Sequence, residues 1–433
     1  MTKRHGRNAR RTATTIAVTA ALGALVVASP VLAATPGKTS PEAAPTAAPA
    51  SQSAESTTAF LASLGVNTHL DFGASIVPAY GNVKNVEKAI DYLGVGNLRD
   101  SAQGPDCATN WAAVARATGA KFDDYIGEDS PYNMYFDLGC MPGLANEHLL
   151  NFVEGGNEED DAYPAGLGNT IAITAQLQQQ VHATAQSLGL PAINMSFGAG
   201  WTAANDWHGD YDKVGDLSAY ADYGNAHDYP VPGATADSTI QQLNGDAHLA
   251  AASRQVMITE FGYDTNVTDS ATAAKGTLDA ALDAAKDGDA KIYYYSLFDD
   301  TSGDFGLMNA DATPKPAGLA LHDLTTLLGT GTHTAHPSTR GLSYSVQGTQ
   351  SADNQLLLQG ADGSYWLALW DETDAAHDVT VNLGCTPASV STFDPLTGTR
   401  PIQSVHGRAS IDVTIPDHPV LLHIDHPAAS GHC

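Results

Sequence analysis

Two glutamates in this chain of 433 residues stand where a carboxyl group can do chemistry. Glu158 ends the run Glu154-Gly155-Gly156-Asn157-Glu158, and Glu260 closes the apolar run Met257-Ile258-Thr259. Two carboxyls on opposite walls of a cleft suit displacement at an acetal carbon, where one protonates the departing oxygen and the other attacks the carbon it leaves. A single glutamate after a strand is commonly a solvated turn residue, so the argument rests on the pair. Glu154 and Glu159 lie nearby and rank below Glu158 as candidates. Other polar side chains close other short apolar runs: Asn67 and His69, Arg99 and Asp100, and His227, Asp228 and Tyr229. In such a pair the attacking carboxylate must be kept ionised, for instance by a nearby arginine, whereas the proton donor must stay protonated until the leaving group departs.

The elements that position these residues follow from hydrophobic periodicity. Val83, Val86, Ile90 and Leu93 recur at helical spacing and stop at Gly94, and the short run Gly96 to Arg99 follows at once as the next strand. Trp111, Val114 and Ala115 before Gly119 repeat the pattern, as do Leu177, Val181, Ala185 and Leu188 before Gly189. Strands are expected at 65–70, 96–99, 121–126, 152–154, 193–197, 223–229, 256–261 and 291–298. Eight strands alternating with helices over residues 59–330 predict an α/β fold, a (β/α)8 TIM barrel of roughly the usual 250-residue size. No GxGxxG or Walker sequence opens a helix, which removes the main support for a nucleotide-binding sheet. In such a barrel catalytic groups project from the C-terminal strand ends, where the residues named above fall. After Gly329 the texture changes to short alternating runs with Gly, Asp and Pro turns, and residues 335–433 are expected to form a small antiparallel β-sandwich.

Residues 1–33 read as a signal peptide: Lys3, Arg4, Arg7, Arg10 and Arg11, an apolar stretch, then small residues up to Ala33. The Arg10-Arg11 pair leaves the export route open. Residues 34–58, mostly Ala, Pro, Ser and Thr, are expected to be a disordered linker. The chain is acidic, at −28, which disfavours nucleic acid and anionic membranes as partners. Its four cysteines lack CxxC or His-rich spacing, so disulfides are favoured over metal binding. Of the three possible pairings, proximity favours Cys107 with Cys140 and Cys385 with Cys433. The run Asp299-Asp300-Thr301-Ser302-Gly303-Asp304 lacks EF-hand spacing and is expected to be a plain loop. No cofactor or metal is expected.

These motifs resemble clan A of the retaining glycoside hydrolases. That clan places Asn-Glu after its fourth strand, matched by Asn157 and Glu158, and its nucleophilic glutamate after the seventh, matched by Glu260 in Ile258-Thr259-Glu260-Phe261-Gly262. The resemblance implies that Glu158 is the acid/base, that Asn157 holds a sugar hydroxyl, and that Arg99, His227 and Tyr229 orient the nucleophile. The segment 305–311 and the trailing sandwich fit the same pattern. The clan ends strand eight with a Trp, where this strand offers Tyr295 or Phe298. His69, and Trp201 and Trp207 in the long loop after strand five, are further candidates for sugar contact. The implied function is an enzyme cleaving β-glycosidic bonds of a poly- or oligosaccharide; the N-terminal signal pattern makes it a secreted, extracellular one, and a monomer is expected. The competing reading is a non-catalytic carbohydrate-binding or surface protein on the same barrel. A polysaccharide lyase is disfavoured, because so acidic a chain has few cations to neutralise a uronate.

Overall fold

The computed structural model describes residues 49–70, 77–102, 107, 110–126, 131–158, 170–198, 211–329, 339–373 and 376–425. Its centre is an eight-stranded parallel sheet: β3 (Leu64–Asn67), β4 (Asn97–Asp100), β5 (Lys121–Ile126), β6 (Leu150–Gly156), β7 (Ala192–Ile193), β8 (Gly224–Asp228), β9 (Val256–Phe261) and β10 (Lys291–Tyr294). Their order is β7-β6-β5-β4-β3-β10-β9-β8, and a parallel bridge from Ile193 to Tyr223 closes the ring. The (β/α)8 barrel expected from the periodicity is therefore present. Its strands are buried along nearly their whole length, because helices cover the outer face and side chains fill the interior. The ladders of the fifth and eighth strands stop earlier than the apolar runs suggested, at Ile193 and Tyr294, although Asn194 and Tyr295 each still donate a backbone bond to a neighbouring strand.

The helices obey the local rules that made them legible. The helix Val83–Leu93 buries Val86, Ala89, Ile90 and Leu93 and ends at Gly94, whose φ of +69° gives the left-handed C-terminal cap. The helix Ser270–Asp287 starts under the Asp269 side chain, which accepts from the backbone N–H groups of Ala271 and Thr272. Cys107 and Cys140 are joined, tying the loop after β4 to the helix Pro131–Asn146. The expected Cys385–Cys433 bond involves Cys433, which lies outside the described residues. No helix of the described residues is long and apolar enough to cross a membrane.

The C-terminal strands form two facing sheets, as expected. One is β1 (Ala50–Gln52), β11 (Leu342–Gln347), β14 (His377–Leu383) and β17 (Ser410–Ile415); the other is β16 (Gln403–His406), β15 (Ser389–Phe393), β18 (Val420–Ile424), β13 (Tyr365–Trp370), β12 (Asn354–Gln359) and β2 (Glu55–Ser56). In β17 Ile411, Val413 and Ile415 alternate with exposed residues and fill the space between the sheets with Val379, Val381, Leu367 and Leu369. The central strand β13 is buried on both faces. Leu367 and Leu369 enter the sandwich core, while Trp366, Ala368 and Trp370 join the barrel core, and Trp370 Nε1 donates to Asp283 Oδ1 at 3.0 Å.

One boundary differs from the sequence reading. The end of the supposed linker 34–58 is ordered: β1 pairs antiparallel with β11, and β2 pairs parallel with β12. Ser56 then caps the helix Thr57–Ser63 by accepting from Thr58 N–H. The order comes from backbone pairing at sheet edges, which needs no apolar side chain and so leaves no mark in composition. Residues 34–48 lie outside the described residues.

Candidate active site

Arg99 is the centre around which the site is assembled. It projects from β4 into the barrel, is buried, and spends its five donors on four side chains. Nε and Nη2 grip the two Glu154 oxygens, both at 2.7 Å; Nη2 also reaches Asn157 Oδ1 at 2.6 Å; and Nη1 donates to Asn67 Oδ1 at 2.9 Å and Glu260 Oε1 at 2.7 Å. The Tyr125 ring lies 4.2 Å from its guanidinium carbon. Burial works against this charge, but Glu154 and Glu260 outweigh it and push the Arg99 pKa up. The guanidinium is thus a fixed cation with bidentate geometry, a role lysine cannot take.

Glu260, at the mouth end of β9, receives two of the donors converging here. Tyr229 donates its phenol hydrogen to Oε2, and Arg99 binds Oε1. Burial favours the neutral carboxyl, but the charges of His227 and Arg99 and the bonds from Tyr229 and Arg99 prevail and hold it below the usual carboxylate range. Burial and the Glu260 charge push Tyr229 upward, so it remains a donor. Glu260 is a buried, ionised, immobilised carboxylate: the state a nucleophile requires.

Glu158 sits across from it. It adopts a left-handed backbone, φ +46°, which turns the chain out of β6, and its N–H donates to Ser196 Oγ. Gly198 packs against its carboxyl so closely that a Cβ there would lie 2.5 Å from Glu158 Cδ. Its Oε1 lies 2.6 Å from His227 Nδ1, and donor atoms of Glu158, His227 and Glu260 lie within 4.8 Å of one another.

The hydrogen bonds fix where the protons are. Asn225 gives its amide hydrogens to Glu154 Oε1 and the Asn194 carbonyl, so its Oδ1 must accept, and the Thr259 hydroxyl donates to it at 2.6 Å. With its one hydrogen used, Thr259 accepts from His227 Nε2 at 3.0 Å. The Thr259 bond thus places hydrogen on His227 Nε2, and Nδ1 faces Glu158 Oε1. Burial opposes a charged imidazole, but Glu260 and Glu158 raise the His227 pKa.

The structure brings Arg99, Asn157, Glu158, His227, Tyr229 and Glu260 into one hydrogen-bonded group. His227 differs from what the resemblance implied. Its short bond goes to Glu158, and it stands 3.5 Å from Glu260 Oε2, so Tyr229 and Arg99 do most of the orienting of Glu260. At strand eight the choice falls on Tyr295. Its ring faces those of Tyr229 and Phe305 and its hydroxyl donates to Asp300, whereas Phe298 is buried against Tyr80. His69 joins the Tyr295 group through Nε2, 3.3 Å from the hydroxyl and 3.2 Å from Asp300 Oδ2. Trp201 and Trp207 lie outside the described residues.

Sequence reasoning missed the partners behind these groups. Glu154, set aside there as a lesser acid candidate, is the bidentate anchor of Arg99. Asn225 and Thr259 set the tautomer of His227, and Asp300, from the acidic loop, holds Tyr295 and His69. The available signal was polar residues interrupting strands whose neighbours are apolar.

No family model matches the sequence, and no curated protein matches it. Solved structures do match by fold, and those below are glycoside hydrolases. A family 39 glycoside hydrolase from the gut symbiont Bacteroides cellulosilyticus WH2 superposes with a TM-score of 0.59 at 15% identity, over 85% of this chain and 82% of that one. A GH51 arabinofuranosidase from Xanthomonas axonopodis pv. citri gives 0.56 at 13% identity, over 87% and 98%. The catalytic domain of GH30 xylanase C from Talaromyces cellulolyticus gives 0.52 at 14% identity, over 87% and 98%. The likeness is one of fold.

Proposed function

We propose that the protein is a secreted retaining glycoside hydrolase acting on β-linked poly- or oligosaccharides. The observation that carries this is the pairing of an ionised carboxylate, Glu260, with the Glu158 carboxyl held 2.6 Å from His227 Nδ1, their oxygens close enough for the roughly 5–5.5 Å spacing of retaining enzymes. Glu158 protonates the glycosidic oxygen as Glu260 attacks the anomeric carbon; the C–O bond to the leaving group breaks and a glycosyl ester on Glu260 forms. Glu158, now a carboxylate, takes a proton from water, whose oxygen displaces Glu260 with a second inversion. Arg99 and Tyr229 steady the carboxylate that is consumed and regenerated, and Tyr295 lines the cleft beside it. Export is supported by the basic and apolar N-terminal pattern and by a disulfide between Cys107 and Cys140.

The test uses aryl β-glycosides and neutral β-linked polysaccharides. Glu260→Ala abolishes turnover. Glu158→Ala loses roughly 10² to 10⁴-fold on substrates that need protonation but still releases an activated aglycone, accumulating the ester. Azide then yields the β-glycosyl azide with Glu158→Ala and the α-anomer with Glu260→Ala. Full activity in Glu260→Ala, or a product of inverted configuration, refutes the assignment, and a wild-type protein that binds these sugars without cleaving them establishes the non-catalytic reading.

A further inference from the structure

A second cluster, far from the glutamates in sequence, lies in the β-sandwich. Asp353 precedes β12, Asp371 follows β13 and His377 opens β14. The pairing of Asn354 with Trp370 puts the two aspartates side by side at one end of the β12–β13 hairpin, and His377 reaches them from the opposite sheet. One donor atom from each of the three lies within 4.8 Å of the others. Asp371 is fully buried, its Oδ1 accepts from Thr373 N–H at 2.7 Å and Thr373 Oγ1 at 2.5 Å, and its Oδ2 is buried with no hydrogen-bond partner. Asp353 repeats the arrangement: Oδ2 accepts from Gln350 N–H and lies 2.9 Å from His377 Nε2, while Oδ1 is buried with no partner. Two buried carboxylate oxygens without donors, beside an imidazole, form an electron-rich cradle suited to a cation.

We infer that Asp353, Asp371 and His377 form a zinc site joining the two sheets of the sandwich. An imidazole nitrogen with two carboxylate oxygens suits zinc, which takes bonds of roughly 2.0–2.2 Å to such donors, with water as a fourth ligand. Calcium prefers six to eight oxygens, and the imidazole counts against it. The donors need close only to the roughly 3.4 Å edge of a zinc tetrahedron. The bonds from Thr373 and Gln350 already hold one oxygen of each carboxylate, which orients the other. The same loop carries Glu372, whose carboxylate accepts from the N–H groups of Ala236 and Asp237 at the start of the helix Ala236–Ala251. That helix follows β8, the strand of His227, so the ion would brace the barrel through Glu372 while taking no part in catalysis.

The test is made on the full chain, stripped with chelator and titrated with zinc chloride. Wild type binds one equivalent more than Asp371→Asn or His377→Gln, and saturating zinc raises its unfolding midpoint by roughly 3–5 °C, a rise absent in both variants. Asp371→Asn keeps the acceptor for Thr373, so it carries the comparison if His377→Gln does not fold. Zinc held by Glu158, His227 and Glu260 would persist in both variants and is thereby separated. Wild-type protein that takes up no zinc, equal uptake in all three proteins, uptake without a rise in midpoint, or binding of calcium in place of zinc overturns the proposal.

Discussion

Tyr229→Phe isolates one of the forces that keep Glu260 ionised. The substitution removes the hydroxyl that donates to Oε2 and leaves the Arg99 bond to Oε1 in place. Glu260 is 6% exposed, so solvent does little to replace the lost donor. A hydrogen bond to a charged group is worth about 1.5–3 kcal/mol. At about 1.36 kcal/mol per pKa unit this raises the Glu260 pKa by about 1–2 units. The acidic limb of kcat/KM then moves to higher pH by the same amount, because the nucleophile is protonated over a wider range. The assay uses a dinitrophenyl glycoside, whose leaving group needs no proton, so that Glu158 drops out and the acidic limb reports Glu260. The plateau also falls as the carboxylate loses a restraint, but the position of the limb is the diagnostic. A limb that stays in place, or moves to lower pH, refutes the account of how Glu260 is held.

Two further outcomes are expected. Glu154→Gln removes the bidentate partner of Arg99 and leaves a buried guanidinium undercompensated, with a loss of about 3–5 kcal/mol of stability in chemical denaturation; a variant as stable as wild type contradicts this. At Asp228 burial raises the carboxyl pKa to about 8. A carboxyl raised on folding gives its full stabilisation below the unfolded value of about 4 and loses it as pH climbs towards 8. Asp228→Asn abolishes that slope, so its advantage over wild type in thermal unfolding grows from pH 4 to pH 8; curves that run parallel show that this carboxyl does not titrate as described.

What could be read from the sequence was what the chain writes locally. Helical spacing up to a capping glycine located Val83–Leu93, and an apolar run closed by Glu260 located β9 and placed that carboxylate at the mouth, because a barrel presents its strand ends to the cleft. The partners of those groups were not legible. Glu154 and Glu158 look alike in sequence, yet one is buried inside the barrel and the other turns out of it through a left-handed backbone. His227 was legible as a residue but not as a partner of Glu158, because that depends on which nitrogen Thr259 occupies, and Thr259 depends in turn on Asn225. Asp300 belonged to an acidic run with no periodicity, and only the path of its loop takes it to Tyr295.

The two short strands at 50–56 bear on how the chain is assembled. Ala50 pairs with Tyr344 and Glu55 with Leu358, so both strands wait for partners made only after the whole barrel has been synthesised. Closing so long a loop costs entropy before either pairing can form. The sandwich is consequently not an appendage that can be cut away. A chain ending before residue 342 would leave both strands with unused backbone donors and acceptors, and would strip the barrel of the apolar cover given by Trp366 and Trp370. Sticky edges and a bared apolar face together favour aggregation, so the barrel and its C-terminal companion stand or fall as one folding unit.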